Sequence, residues 1–375
     1  MAGLRSVSDI AVYGRGTACR APATHNCLQA GVTDRAQAPG SDMAPKHPSS
    51  YYTGGVLARD RRILAKTITL LESSRPDHQE LAREVLDGLM PHTGGAIRLG
   101  ITGVPGAGKS TFIESLGRHV TGQGHSLAVL AIDPSSRRSG GSVLADKTRM
   151  ESLSMNPAAY IRPSPAGTTL GGVARKTRES MLVCEAAGFD VVIVETVGVG
   201  QSETAVAGMV DFFLVLMIAG AGDEIQGIKK GLMELADAVA VNKADGDNIQ
   251  AAERARRDYL SALHLLRPAS QAWSPPVLTC SATTMQGIDG LWQAVLDHRE
   301  RLSATGELQE KRRTQSLDWM WSMIEEGLKE QFQAHAGVQA MLPGVLAKVA
   351  RGTLAPGAAA AELLDACRIS ILNRP

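Results

Sequence analysis

Apolar positions along this chain follow two different spacings. From Ile97 to about Arg301, short apolar runs alternate with longer stretches of helical period. The runs fall at 97–102, 127–132, 190–195, 211–218, 237–242 and 276–280. Nearly continuous apolarity over so few residues marks strands covered on both faces, as in parallel sheets. The pattern predicts an α/β fold, a mostly parallel sheet flanked by helices, which binds ligands at the carboxyl ends of its strands. Each of those ends is polar or glycine-rich.

Helical spacing dominates on either side. Val56, Leu57, Ile63, Leu64, Ile68 and Leu71 predict one helix, Ser73 to Pro76 a break, and Leu81, Val85, Leu86 and Leu89 a second helix closed by residues 91–95. Near the other end, residues 308–336 carry Leu317, Met320, Trp321, Ile324, Leu328 and Phe332 on one stripe. That stripe needs a partner, either the sheet domain or another copy of the chain. Beyond Pro343 the chain is Ala-rich and predicts no definite element. The expected organisation is a tail over 1–54, a helical extension over 55–95, a nucleotide-binding domain over 96–301 and a C-terminal helical region over 302–375. The tail is rich in Gly, Pro, Ser and Ala, with scattered Arg, and lacks sustained periodicity. It reads as disordered or as a targeting segment, and Met43 is an alternative start.

Composition narrows the chemistry. Lys and Arg number 39 against 38 Asp and Glu in 375 residues, a balance that argues against nucleic acid as the main ligand. Five scattered cysteines (Cys19, Cys27, Cys184, Cys280 and Cys367) indicate neither a disulfide framework nor a zinc site. The longest apolar run, 212–219, is strand-sized and far too short to span a membrane.

The first strand leads into Gly103, Val104, Pro105, Gly106, Ala107, Gly108, Lys109, Ser110 and Thr111, which match G-x-x-x-x-G-K-[ST]. Glycines there let backbone N–H groups turn inward around phosphate. Lys109 reaches the β/γ oxygens, and the Ser110 hydroxyl is placed to ligate Mg²⁺. The strand 237–242 ends in Asn242, Lys243 and, after Ala244, Asp245. A carboxylate at Asp245 can accept from both N1–H and the exocyclic amine of guanine, a donor pair adenine lacks. An Asp capping a helix after a strand would look similar by itself. Here Ser281, Ala282 and Thr283 end the next apolar strand, where a guanine O6 contact is expected.

Three acidic residues are candidates to bind Mg²⁺ or position water: Asp133, Asp146 and Glu195. Asp133 before Pro134 can equally cap a turn, and Asp146 can start a helix. Glu195 opens E-x-x-G, so the N–H of Gly198 can sense a γ-phosphate. No Gln directly follows Gly198, which predicts slow intrinsic hydrolysis unless a partner completes the site. Residues 220–230, with Gly220, Gly222 and Gly227, form a glycine-rich loop that reads as a strand–helix connection or as a switch.

Together the segments beginning at Gly103, Asp133, Asp146, Glu195, Ala219 and Asn242 resemble the methylmalonyl-CoA-mutase-associated GTPases of MeaB/ArgK type, over residues 55 to 340. The resemblance implies a P-loop NTPase fold with N- and C-terminal helical extensions. It implies a homodimeric GTPase using Mg²⁺ that gates adenosylcobalamin loading onto a cobalamin-dependent acyl-CoA mutase, without itself holding cobalamin, and that meets an adenosyltransferase as a further partner. It makes Asp223, Glu224, Gln226 and Lys229 parts of a third switch. Location would be the bacterial cytoplasm, or the mitochondrial matrix if residues 1–42 are a transit peptide. Two other readings compete with this one. A nickel-delivering GTPase would want a His-rich tract or Cys-x-x-Cys, whereas the nine histidines are dispersed. A protein kinase is disfavoured by guanine selectivity.

Overall fold

The computed structural model describes residues 47–133, 150–165, 170–196, 202–220, 226–266 and 270–372. Three helices come first: α1 (Ser49–Leu57), α2 (Arg61–Glu72) and α3 (Pro76–Leu89). The first of the two helices expected from the sequence is thus split. Arg59 adopts a left-handed φ of 59°, and the Asp60 carboxylate caps the new start by accepting from the N–H groups of Arg62 and Ile63 at 2.8 and 3.1 Å. Helix also begins at Ser49, upstream of the expected start near Val56.

Seven strands form one parallel sheet: β1 (Ile97–Gly103), β2 (Leu127–Asp133), β3 (Ala159–Pro165), β4 (Val191–Glu195), β5 (Phe212–Ile218), β6 (Ala238–Asn242) and β7 (Val277–Thr279). Their order is β3-β2-β4-β1-β5-β6-β7, and every pairing is parallel. The strand missing from the sequence reading is β3. Its residues Tyr160, Arg162 and two prolines break the apolar run, and only pairing along the whole length of β2 makes it a strand. From its carboxyl end β1 connects to β2 on one side, while its neighbour β5 connects to β6 on the other, which opens a crevice between their carboxyl ends.

Aspartates align the opposite ends of the strands. Asp190, Asp211 and Asp237 each precede a strand, and each accepts the N–H at the start of the neighbouring strand: Ser126 at 2.8 Å, Arg98 at 2.9 Å and Phe213 at 2.9 Å. These N–H groups lie where the ladder begins, so a carboxylate replaces the missing carbonyl partner.

Eight of the remaining helices cover the sheet or extend from it. They are α4 (Lys109–Gly122), α5 (Glu151–Met155), α6 (Leu170–Ala186), α7 (Ser202–Ala207), α8 (Gln226–Leu235), α9 (Ile249–His264), α10 (Ile288–Thr305) and α11 (Glu307–Ala334). The boundary expected at 301 falls inside α10. The tail beyond Pro343 is helical too, with Pro343 inside α12 (Ala336–Ala350), followed by α13 (Pro356–Leu372).

The root of α11 is fixed to the strand starts. Arg312 donates to both carboxylate oxygens of Asp211 at 2.6 and 2.7 Å and to the Ala96 carbonyl at 2.7 Å. Lys311 donates to the Asp211 carbonyl at 2.6 Å and to the Asp237 carboxylate at 3.2 Å. Farther along α11, Leu317, Met320, Trp321, Ile324 and Leu328 are exposed, Leu328 to 61%. The stripe foreseen in the sequence therefore does not pack on this chain's own sheet domain.

Candidate active site

At the carboxyl end of β1 the chain turns into α4 through residues 104–108. Gly106 and Gly108 take left-handed φ angles of 78° and 84°, open to glycine at no steric cost. Gly108 also lacks room for a side chain: a Cβ there would lie 3.1 Å from Asn242 Nδ2. The Lys109 ammonium, in the first turn of α4, donates to the Gly103 carbonyl at 2.9 Å. Burial lowers its pKa, partly offset by the negative charges of Glu195 and Glu203. Next in the chain, the Ser110 hydroxyl donates to Glu195 Oε1 at 3.3 Å across from the tip of β4.

Asn242 joins three segments far apart in sequence. Its side chain is buried, and its Nδ2 donates to the Ala107 carbonyl at 2.8 Å. Its Oδ1 accepts from the Ala282 N–H at 3.1 Å and from Cys280 Sγ at 3.6 Å. The phosphate-type loop is thereby tied to the ends of β6 and β7. Burial pushes the Cys280 thiol up to about 12, so it acts here as a neutral donor.

Beyond Asn242 the backbone turns through Lys243, a non-glycine residue at φ 59°. The Asn248 amide holds this turn by donating to the Lys243 carbonyl at 2.6 Å, while the Ala244 N–H donates to the Cys280 carbonyl at 2.9 Å. Left-handed backbone at such a residue is maintained only by surroundings of this kind. The turn places the Lys243 Cε 3.9 Å from where a Gly108 Cβ would stand, and it aims Asp245 at the loop after β7. There the Ser281 hydroxyl donates to Asp245 Oδ2, and Thr283 Oγ1 donates to the same oxygen at 3.2 Å. Behind this loop, the Ser115 hydroxyl of α4 donates to the Ala282 carbonyl at 2.6 Å.

The structure thus brings together residues 103–111, Glu195, Asn242, Lys243, Asp245 and 281–283, the tip of β4 included. Asp133 ends β2, two strands from β1. Gln226 and Lys229 fall within α8. Asp146, Gly198, Asp223 and Glu224 lie outside the described residues. The sequence reading passed over Ser115, Cys280 and a buried pair at the carboxyl end of β1 and just after β4, where the Thr196 hydroxyl donates to Thr102 Oγ1 at 2.7 Å. A polar residue at the end of an otherwise apolar strand was the available signal for Thr102 and Thr196.

The arrangement offers an anion-binding loop with a lysine, oxygen ligands for a hard cation and, some distance along the sheet edge, an oriented carboxylate. The family model for "Methylmalonyl Co-A mutase-associated GTPase MeaB" matches residues 64–337. The chain belongs to the MeaB family. Among its relatives, GTPase ArgK of Escherichia coli is 51% identical over 297 residues, 79% of this chain and 90% of that protein. The mitochondrial methylmalonic aciduria type A homolog of Mus musculus is 46% identical over 353 residues, covering 91% and 84% of the two chains. A crystal structure described as LAO/AO transport system kinase superposes with a TM-score of 0.69 at 42% identity, covering 85% of this chain and 97% of that one. As a MeaB-family P-loop protein the chain is a GTPase, and the loop at 103–111 lies where P-loop folds carry nucleotide phosphates.

Proposed function

We propose that this protein is a GTP-driven chaperone of a cobalamin-dependent acyl-CoA mutase, gating adenosylcobalamin loading and protecting the enzyme. The observation that carries this reading is the match to the mutase-associated family across 64–337. The mouse relative's name, which refers to methylmalonic aciduria, supports it.

In this reading residues 103–111 hold the phosphates of GTP, and Asp245, oriented by Ser281 and Thr283, reads guanine. Ser110 and Glu195 supply oxygen donors for Mg²⁺, and such ligands suit that hard cation. Held by these two residues, Mg²⁺ would supply positive charge against the negative charge that develops during phosphoryl transfer. Asp133 and Asp146 are further candidates for this work, Gly198 for sensing the γ-phosphate, and Asp223, Glu224, Gln226 and Lys229 for passing nucleotide state to the mutase.

The exposed stripe on α11 supports a homodimer, because a second copy would cover the same apolar residues. Among the described residues no helix is long and apolar enough to cross a membrane. We assign the protein's work to the compartment of its mutase, the bacterial cytoplasm or the mitochondrial matrix.

The deciding experiment is a calorimetric cycle. GDP and a non-hydrolysable GTP analogue are titrated into the protein with and without a cobalamin-dependent mutase. Linkage requires that a mutase sensitive to nucleotide state shift nucleotide affinity by the same factor, typically through about 1–3 kcal/mol of coupling. A mutase that alters neither affinity nor hydrolysis overturns the chaperone reading. Phosphate appearing on an added protein rather than in solution would favour a kinase instead.

A further inference from the structure

Helix α7 lies between β1 and the root of α11. In its first turn Glu203 is buried, and its negative charge acts on Lys109. Val206, one turn later, lies over β1 at Gly100. A Cβ at Gly100 would meet Val206 Cγ1 at 3.0 Å and Val210 Cγ2 at 2.9 Å, so α7 rests directly on the strand that leads into the phosphate-type loop.

The far end of α7 is held by α6 and α11. The Arg178 guanidinium of α6 donates to the Gly208 carbonyl, and it also donates to the Gln315 carbonyl of α11 at 2.6 Å. The Gln315 amide donates to the Val210 carbonyl at 2.9 Å and reaches Ala207 O at 3.5 Å. Two side chains from two helices therefore cap the same helix end, and the Arg178 side chain is bonded to the backbone of Gln315. Arg178 further lies 5.3 Å from the Trp319 ring centroid on α11, within cation–π range.

Between α6, α7 and α11 lies a half-open cleft of about 270 Å³ lined by Arg175, Arg178, Thr204, Gly208, Trp319 and Met323 among others. Close-packed contacts resist displacement, whereas a joint held by polar bonds beside an open cleft can take a second arrangement at lower cost. The Trp319 Nε1–H is buried here with no acceptor among the described residues, which disfavours the present arrangement and leaves any second one less far above it.

We propose that Arg178 is a positioning residue for GTP hydrolysis: by holding α7 to α11 it makes the C-terminal arm and the catalytic lysine two ends of one unit. This inference rests on the GTPase activity alone, not on the mutase reading, and its test contains no mutase. A partner or second copy that moves the arm would act on hydrolysis by this route.

Full-length Arg178→Met keeps an apolar stem against Trp319 but removes both carbonyl bonds, and Gln315→Leu removes the amide from the α11 side. Both should lower kcat roughly three- to thirtyfold, the range of coupling changes from residues that touch neither ligand, while affinities for GDP and a non-hydrolysable GTP analogue stay within about twofold. Arg178→Lys, able to reach one carbonyl, should fall between. Amide exchange over residues 315–330 should differ between the GDP and analogue states of the parent and lose that difference in both variants. Parental kcat in either folded variant, or loss of GDP affinity in proportion to rate, overturns the positioning role. Arm exchange identical in the two nucleotide states of the parent overturns the link. If Arg178→Met does not fold, Gln315→Leu decides alone.

Discussion

The amide of Asn242 donates to the Ala107 carbonyl at 2.8 Å, a bond between residues 135 positions apart that ties the phosphate-type loop to the carboxyl end of β6. Asn242 is buried and its oxygen is also occupied by Ala282 N–H. Removing the side chain leaves a buried carbonyl and a buried N–H without partners, each worth about 1–3 kcal/mol. Asn242→Ala is therefore expected to weaken GDP and GTP alike by roughly tenfold or more and to lower the melting temperature. Calorimetric titration with both nucleotides checks this, and a loss confined to GTP would contradict the bracing role.

Lys109 and Glu195 should separate binding from rate. Lys109→Ala removes the charge aimed at the developing negative charge of phosphoryl transfer, so hydrolysis should be abolished and GTP binding weakened. Glu195→Ala removes the carboxylate that accepts from Ser110, and kcat should fall at least tenfold more than GDP affinity does. Steady-state phosphate release paired with GDP binding distinguishes the two effects. Equal losses for Glu195→Ala would mean the carboxylate merely supports the loop.

Base selectivity should follow the two hydroxyls on Asp245. Asp245→Asn replaces an acceptor by a donor opposite guanine N1–H, which should cost GTP about 3 kcal/mol or more and favour xanthosine triphosphate. Ser281→Ala removes a hydroxyl that donates to Oδ2, and Thr283 still donates to the same oxygen. Its effect should be smaller, roughly tenfold on GDP affinity, without reversal of base preference. Competition between the two triphosphates reads both outcomes.

The anchoring of α11 should depend on acid. Burial acts to raise the pKa of Asp237, but the His298 imidazole 3.6 Å away, the charge of Lys311 and the Phe213 N–H outweigh it and hold the carboxyl below its ordinary value. Because the folded value is lowered, the stabilisation is fully present above the unfolded carboxylate range, near pH 4, and is lost as pH falls through the folded value. Asp237→Asn should lower the melting temperature at neutral pH, and the gap from the parent should narrow steadily below about pH 4. Melting curves across that range measure it, and a gap independent of pH would place the effect outside this ionisation.

The sequence alone carried the sheet domain and the core of the site because both depend on local pattern. Six of the seven strands are apolar runs within one or two residues of their observed bounds, since a strand buried on both faces must be apolar throughout. The loop at 103–111 was legible because glycine is needed where backbone approaches phosphate, and that demand is met within nine consecutive positions. Asp245 was legible because it ends an apolar strand at a fixed spacing from Asn242.

What tertiary structure decided was everything that depends on partners distant in the chain. Strand β3 exists only because β2 pairs with it, its own residues being mixed in character. The split between α1 and α2 depends on Arg59 turning left-handed and Asp60 capping the next helix, and the apolar period runs through both without a mark. Neither period nor composition predicts that Asn242 would bond Ala107, that Thr102 and Thr196 would pair, or that Arg178 and Gln315 would close over the end of α7. Such contacts join residues tens to over a hundred positions apart, and a single side chain's hydrogen-bonding capacity does not say which distant group will meet it. The apolar stripe of α11 lies between these cases. Its sequence announced a face that needs covering, and the fold left that face open because the helix root is fixed by Asp211 and Asp237 at the strand starts, with the rest of the helix extending past the sheet.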